Sequence, residues 1–304
     1  MLNKCNYGMS YKCNCGMSYV FEKYNTRMKD YEKFKKEYVK YQQDPYLFFV
    51  EVLEEVVNED QKAFLDAIKD NHLLIGNVPR GIGTSFFMCN IALWFYTCFD
   101  GARIILIAPP PEANINLLYS NFETLISKHK DLFIHSNTGL TKKVQNTAES
   151  FSSIDFRRIP TTASFYELKA MFSGIRAKNL MFLVDDADAI PEVVLNTIEI
   201  YHYDFVKIQY FYNDINKNNH IKKKEKNNTT IKFSPFNHLN VITGEDIIPG
   251  CITQDRVIEN INNYSRETIN GEKPDLVLPD YIAKKMELEN KERIIIDNRI
   301  NFTL

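Results

Sequence analysis

The chain has 304 residues, of which 44% are hydrophobic and 25% charged, with a formal net charge of −2. That make-up fits one large α/β domain, or one domain with appendages, and leaves no overall nucleic-acid signature; any DNA contact is expected from a local patch or from partner subunits. No apolar run approaches the ~20 residues of a membrane-spanning helix, and the first residues lack the basic and apolar regions of a signal peptide.

Six cysteines lie at positions 5, 13, 15, 89, 98 and 251. Their spacing fits neither a disulfide framework nor a C-x-x-C pair, so reduced thiols are expected, and Cys5, Cys13 and Cys15 could hold zinc only with a fourth ligand from elsewhere. Three of them fall in a duplicated octapeptide, where Cys5-Asn6-Tyr7-Gly8-Met9-Ser10-Tyr11 recurs as Cys13-Asn14-Cys15-Gly16-Met17-Ser18-Tyr19. Two copies are too few for a solenoid, so residues 1–43 read as an N-terminal extension, partly disordered and partly a polar helix from Tyr19 to Gln43.

Asp44-Pro45 starts a helix, with Asp as its cap and Pro in its first turn, ahead of the apolar Tyr46 to Val57. A second amphipathic helix covers Asn58 to Ile68. Leu73 to Phe99 is the segment around which the rest is organised. An apolar strand runs into a turn built from Pro79, Gly81 and Gly83, and Ser85 then begins a long apolar helix. Strand, Gly-containing loop and helix in that order bring backbone N–H groups and a helix N-terminus onto one small volume, which suits a phosphate.

The loop departs from the G-x-x-x-x-G-K-[ST] pattern. Gly83 and Ser85 match its last Gly and its hydroxyl, whereas Val78 stands for the first Gly and Thr84 for the Lys. On its own such a turn also suits any α/β protein.

Ala102 to Ala108 is a continuous apolar run, as expected of a strand covered on both faces, and a helix follows over Ala113 to His129. Residues 135–160 are polar apart from a candidate strand at Ile154 to Ile159. Phe165 to Met171 reads as a short helix. Leu180 to Asp188, LMFLVDDAD, is the second chemical centre: a buried strand from which Asp185 and Asp186 emerge at the carboxyl end, where open α/β sheets bind ligands. In a nucleotide hydrolase the first acid would hold Mg²⁺ and the second would orient the attacking water. An acidic pair after a strand is also a plain helix cap. A helix at Val193 to Ile200 and a strand at Phe205 to Tyr212 follow. Asn213 to Thr230, rich in Asn and Lys, reads as a solvated loop or a DNA-facing patch. Ile231 to Phe233 resumes a strand ending at Ser234-Pro235-Phe236-Asn237, and a charged helix lies near Asp280 to Arg293.

Four stretches taken in order carry a family resemblance. Val78-Pro79-Arg80-Gly81-Ile82-Gly83-Thr84-Ser85 resembles the V-P-R-R-H-G-K-T loop of the herpesvirus terminase ATPase subunit and, more loosely, the S-R-Q-x-G-K-[ST] loop of tailed-phage large terminases. Residues 172–179 running into LMFLVDDAD are similar to the R-G-x-x-x-N-L-L-F-V-D-E-A stretch of that family. Ser234 and Asn237 resemble its coupling motif, and Gln61 falls where the family places an adenine-reading Gln.

The resemblance implies a P-loop NTPase fold of the ASCE type, a three-layer α/β sandwich with a mainly parallel sheet, over residues 44–245. Residues 246–304 would be a C-terminal extension, a remnant of or linker toward a nuclease domain, so that DNA cutting would come from another chain. It implies an ATP- and Mg²⁺-dependent motor subunit driving double-stranded viral DNA into a procapsid, in a homo-oligomeric ring with portal protein and other terminase subunits. The setting would be the host cell, its nucleus if herpesvirus-like and otherwise its cytoplasm, with no membrane. Pro79, Arg80, Gly81, Gly83, Thr84 and Ser85 would hold the nucleotide with Gln61; Ser85 and Asp185 would bind Mg²⁺. Asp186 and Arg80 would act in catalysis, and Ser234 and Asn237 in coupling. Two other readings stand beside it: a pseudo-ATPase serving as a structural or regulatory subunit, because Thr84 lacks the ammonium, and a superfamily 2 helicase-like ATPase. The motor reading requires Thr84-Ser85 and Asp185-Asp186 to share one pocket on adjacent strand tips.

Overall fold

The computed structural model describes residues 31–133, 136–139, 143–146, 152–213, 220–263 and 278–288. The octapeptide repeat, with Cys5, Cys13 and Cys15, lies outside them. Eight strands form one sheet: β1 Leu73–Asn77, β2 Ala102–Ala108, β3 Ser136–Gly139, β4 Lys143–Asn146, β5 Ser153–Arg158, β6 Asn179–Val184, β7 Val206–Tyr212 and β8 Thr229–Lys232. Their order is β3-β4-β5-β2-β6-β7-β1-β8. From β5 to β8 the strands run parallel, and β4 and β3 extend the β5 edge antiparallel.

Parallel strands need crossovers, and the crossover helices cover both faces, so β2 and β6 are apolar at nearly every position. Ile104, Leu106, Met181 and Leu183 face one layer with α1 (Glu59–Ile68), α2 (Thr84–Cys98) and α3 (Glu112–Lys128). Ile105, Ile107, Phe182 and Val184 face the other with α4 (Phe165–Phe172) and α5 (Glu192–Glu199). The result is a three-layer α/β sandwich with a mainly parallel sheet, in which one strand, β7, separates β1 from the acid-bearing β6.

Helix α2 is buried from Phe87 to Cys98, and a helix that is apolar all round must be covered all round. One cover is the segment before α1. The Trp94 indole donates to the Tyr41 carbonyl at 2.8 Å, and the buried Lys35 ammonium donates to the carbonyls of Tyr96 (2.6 Å), Thr97 (3.0 Å) and Phe99 (2.8 Å). A cation there satisfies orphan carbonyls and suits the negative end of the helix dipole.

An aromatic cluster ties α1 to the sheet. Phe64 meets Phe87, Phe211 and Phe233 with ring centroids 4.9 to 5.9 Å apart. It explains Gly76 in β1, where a Cβ would lie 3.0 Å from the Phe211 ring and 3.3 Å from Phe64. Past residue 245, Ile252, Val257, Ile258 and Ile282 join this same core.

Three local readings need correction. The helix begun by Asp44 and Pro45, with Asp44 accepting from the Leu47 N–H, stops at Leu47 and widens into a π-turn over Phe48–Val52, which seats Phe48 and Phe49 in the core. The polar stretch between 135 and 160 holds β3 and β4 as well as β5, since edge strands need little apolar surface. The expected loop from Asn213 to Thr230 contains α6 (His220–Glu225), with Ile221 buried, and the strand expected from Ile231 begins two residues earlier, as β8. Among the described residues no helix is long and apolar enough to cross a membrane.

Candidate functional site

The site forms at the carboxyl ends of β1 and β6. After β1 the chain turns through Pro79, Arg80 and Gly81, and Gly83 caps α2 with φ +76, a conformation in which a side chain is strained. Thr84 and Ser85 open the fifteen-residue helix α2, so the first backbone N–H groups of a long helix face the loop. The Val78 N–H donates to the Tyr212 carbonyl at 2.8 Å, fastening the start of the loop to the tip of β7.

β7 lies between β1 and β6, so the expectation of adjacent strands is wrong. The two motifs meet nonetheless: the Ser85 hydroxyl donates to Asp185 Oδ2 at 3.2 Å. The loop therefore reaches across the end of the intervening strand, which a reading confined to strand neighbours misses.

Asp185 is partly buried, its N–H bonded to the Ile107 carbonyl at 2.9 Å. Burial, and then the charge of Asp186, push its carboxyl up to about 6; the Ser85 hydrogen bond works against both. Asp186 sits at φ +42, a left-handed conformation unusual for a residue other than glycine, and donates its own N–H to Asp185 Oδ1 at 3.2 Å. Burial first and then Asp188 raise its pKa, and the guanidinium of Arg80 opposes the shift. Arg80, exposed on the loop, thus acts electrostatically on the acid at the opposite wall.

This arrangement suits a hard divalent cation. Mg²⁺ takes one or two protein oxygens and keeps waters and phosphate oxygens for the rest, and here a hydroxyl and a partly buried carboxylate stand side by side. Ser85 and Asp185 would hold it, and it would neutralise charge on a transferring phosphoryl group. Among the described residues no cluster of three or more His, Cys, Asp and Glu has a metal-binding arrangement.

Gln61 is partly buried in α1. Its Oε1 accepts from the Asn58 N–H at 3.1 Å while Asn58 Oδ1 accepts from the Gln61 N–H at 2.9 Å, a reciprocal cap that fixes the start of the helix. Ser234 and Asn237 lie at the turn after β8, and both contact Asp60, the neighbour of Gln61. The Ser234 N–H donates to Asp60 Oδ2 at 2.7 Å and the Asn237 amide to Oδ1 at 2.9 Å. From the C-terminal side, the Tyr281 hydroxyl donates to the Phe236 carbonyl at 2.7 Å. Sequence reasoning missed Asp60 and Tyr281. An acid in a first helical turn is ordinary dipole complementation, and nothing local marks it as a partner for a turn far along the chain.

Fold and site together define a three-layer α/β protein whose glycine-containing strand-to-helix turn and twin acids meet at the carboxyl edge of a mainly parallel sheet. In three dimensions it is similar to large terminases of bacteriophages. The ATPase domain of the Thermus phage P74-26 large terminase, in a mutant form, matches 62% of this chain and 86% of its own at 13% identity and a TM-score of 0.46. The large terminase of a thermophilic bacteriophage in complex with ADP matches 61% of this chain and 47% of its own, at 14% identity and 0.44. That of bacteriophage HK97 matches 59% and 39%, at 12% and 0.44. The chain thus covers about half or less of the latter two terminases. No family model and no curated protein sequence matches it.

Proposed function

We propose that this chain is the ATPase motor subunit of a viral terminase, translocating double-stranded DNA into a procapsid. The observation that carries the reading is the 3.2 Å contact between Ser85 and Asp185, which joins a helix N-terminus to a partly buried acid across an intervening strand. Phosphoryl transfer asks a protein mainly for positioning and charge stabilisation, and the parts present supply both. The α2 N-terminus and Gly83 cradle phosphates, Ser85 and Asp185 hold Mg²⁺, Asp186 orients the attacking water, and Arg80 forks onto phosphate oxygens in place of the missing Lys. Gln61 lies beside the base, and Ser234 with Asn237 passes the change at the phosphates to the DNA-gripping surface. Portal protein and further terminase subunits, with copies of this chain in a ring, complete the motor. The herpesvirus branch is favoured by the Val78-Pro79-Arg80 wording of the loop. The test is DNA-stimulated ATP hydrolysis by the purified chain: Asp185→Ala abolishes it, and hydrolysis unchanged by that substitution overturns the assignment.

One observation favours a second reading, a nucleotide-binding subunit that no longer hydrolyses. Thr84 occupies the position from which an ammonium would reach the β/γ-phosphates. An inert protein that gains nucleotide binding on Thr84→Lys substitution supports it.

A further inference from the structure

The phosphate loop is touched from behind by a segment of the chain more than 160 residues away. The Ile252 N–H donates to the Gly81 carbonyl at 2.7 Å, and the Ile252 side chain lies 3.6 Å from where a Gly81 Cβ would be. Cys251 Sγ lies 3.2 Å from the position of a Cβ on Gly83. Both glycines of the loop are thus in contact with residues 251–252.

That segment is held by one side chain. Asn240, 1% exposed in α7 (Leu239–Thr243), accepts the Ile248 N–H on Oδ1 at 2.8 Å. Its Nδ2 donates to the Ile248 carbonyl at 2.9 Å and to Asp246 Oδ1 at 3.2 Å. Gln254, opening α8 (Gln254–Asn263), closes the far side by donating to the Val241 carbonyl at 2.7 Å. Helix α7 follows directly on the Ser234–Asn237 turn. A continuous path of hydrogen bonds and short covalent stretches therefore runs from Gly81 through residues 252–248 and Asn240 to the coupling turn.

We infer that residues 248–252 are a brace for the phosphate loop and that Asn240 is the positioning residue that locks it, so that loop and coupling turn change conformation together. A buried Asn whose amide oxygen and nitrogen both engage a backbone segment specifies one geometry, because any other leaves polar groups unpaired at a cost. The bond to Gly81 uses the carbonyl of the loop and leaves its N–H groups to the ligand. The brace therefore shapes the cradle rather than occupying it. The coupling consequence rests on the motor reading above; the brace does not.

Cys251 is a built-in reporter, partly exposed where Cys89 and Cys98 are buried. Its alkylation by iodoacetamide is followed in the full chain by peptide mass mapping, with and without Mg-ATP. Asn240→Ala raises the rate about five-fold or more, the factor carried by one lost hydrogen bond. Asp246→Ala, at an exposed residue that folding tolerates, raises it by less. Mg-ATP slows alkylation in the wild type and loses that effect in Asn240→Ala, whose Mg-ATP dissociation constant rises under conditions in which the variant remains folded. Rates equal to wild type in the variants overturn the brace; where Asn240→Ala does not fold, Asp246→Ala decides alone. Calorimetric binding of Mg-ATP that leaves Cys251 reactivity unchanged overturns the link to the loop. Absence of Mg-ATP binding in the wild type counts against the motor reading, and the nucleotide-free rates still decide the brace.

Discussion

The two ends of the sheet are built on opposite principles. At the amino edge, backbone acceptors left over at element ends are met by side-chain donors: Lys35 caps α2, Lys207 donates to the carbonyls of Lys69 (2.6 Å) and Asn71 (3.1 Å), and Asn179 donates to that of Asp100. At the carboxyl edge the partly buried Asp185 stands beside the exposed Asp186, backbone at Gly81, Gly83 and Asp186 takes positive φ, and the cation that acts on Asp186 is the exposed Arg80. At one edge these carbonyls are met by side chains of the chain itself, whereas at the other, two neighbouring acids face a single loop cation. Strain and unbalanced charge of this kind are sustained by the surrounding packing and mark where function sits.

The largest effect expected from altering this contrast comes at Thr84. Supplying the ammonium by Thr84→Lys raises ATP turnover by about 10²- to 10³-fold, the scale of one electrostatic donor in a closed site. Steady-state phosphate release measures it, and an unchanged rate shows that Arg80 already fills the role. At the other edge Lys35→Met leaves three carbonyls without their charged donor and lowers stability by about 3 kcal/mol in urea unfolding, with nucleotide affinity of the folded protein preserved.

Asp185→Asn has the reverse sign for stability. A carboxyl raised in the folded protein to about 6 contributes stability below its unfolded pKa and loses it as pH rises through about 6. Removing the charge therefore stabilises the nucleotide-free protein at pH 8 by up to about 3 kcal/mol. The gain vanishes near pH 4, while hydrolysis is lost. Thermal unfolding of both proteins across that range is the check, and a pH-independent difference overturns the assignment of the shift. The smallest effect is expected at the junction between α1 and the Ser234–Asn237 turn. Asp60→Ala costs about 1–2 kcal/mol of stability for its two hydrogen bonds and lowers stimulation by DNA more than basal hydrolysis.

What the sequence made legible was local. The apolar runs of β1, β2 and β6, the Pro79–Ser85 turn and the Asp185-Asp186 pair all follow from periodicity, glycine placement and the rule that ligands gather at strand carboxyl ends. Strand order was not legible at the decisive point. That β7 inserts between β1 and β6 depends on which crossover packs on which face, and Val206–Tyr212 reads the same in any central position. The contacts of Asp60 with Ser234 and Asn237, and of Ile252 with Gly81, join segments too distant in sequence for any local pattern to reveal them. The π-turn at Phe48–Val52 escaped for another reason. Propensity marks the helix, whereas the wider turn is imposed by seating two adjacent phenylalanines in one core.

The chain has a single tryptophan, Trp94, and its indole is spent on the Tyr41 carbonyl, on the same helix that begins at the phosphate loop. Intrinsic fluorescence excited at the red edge consequently watches one junction alone. A shift to longer wavelength and a gain in quenching by iodide signal departure of the amino-terminal wrapping from that helix, so undocking is readable optically, without a label and separately from global melting.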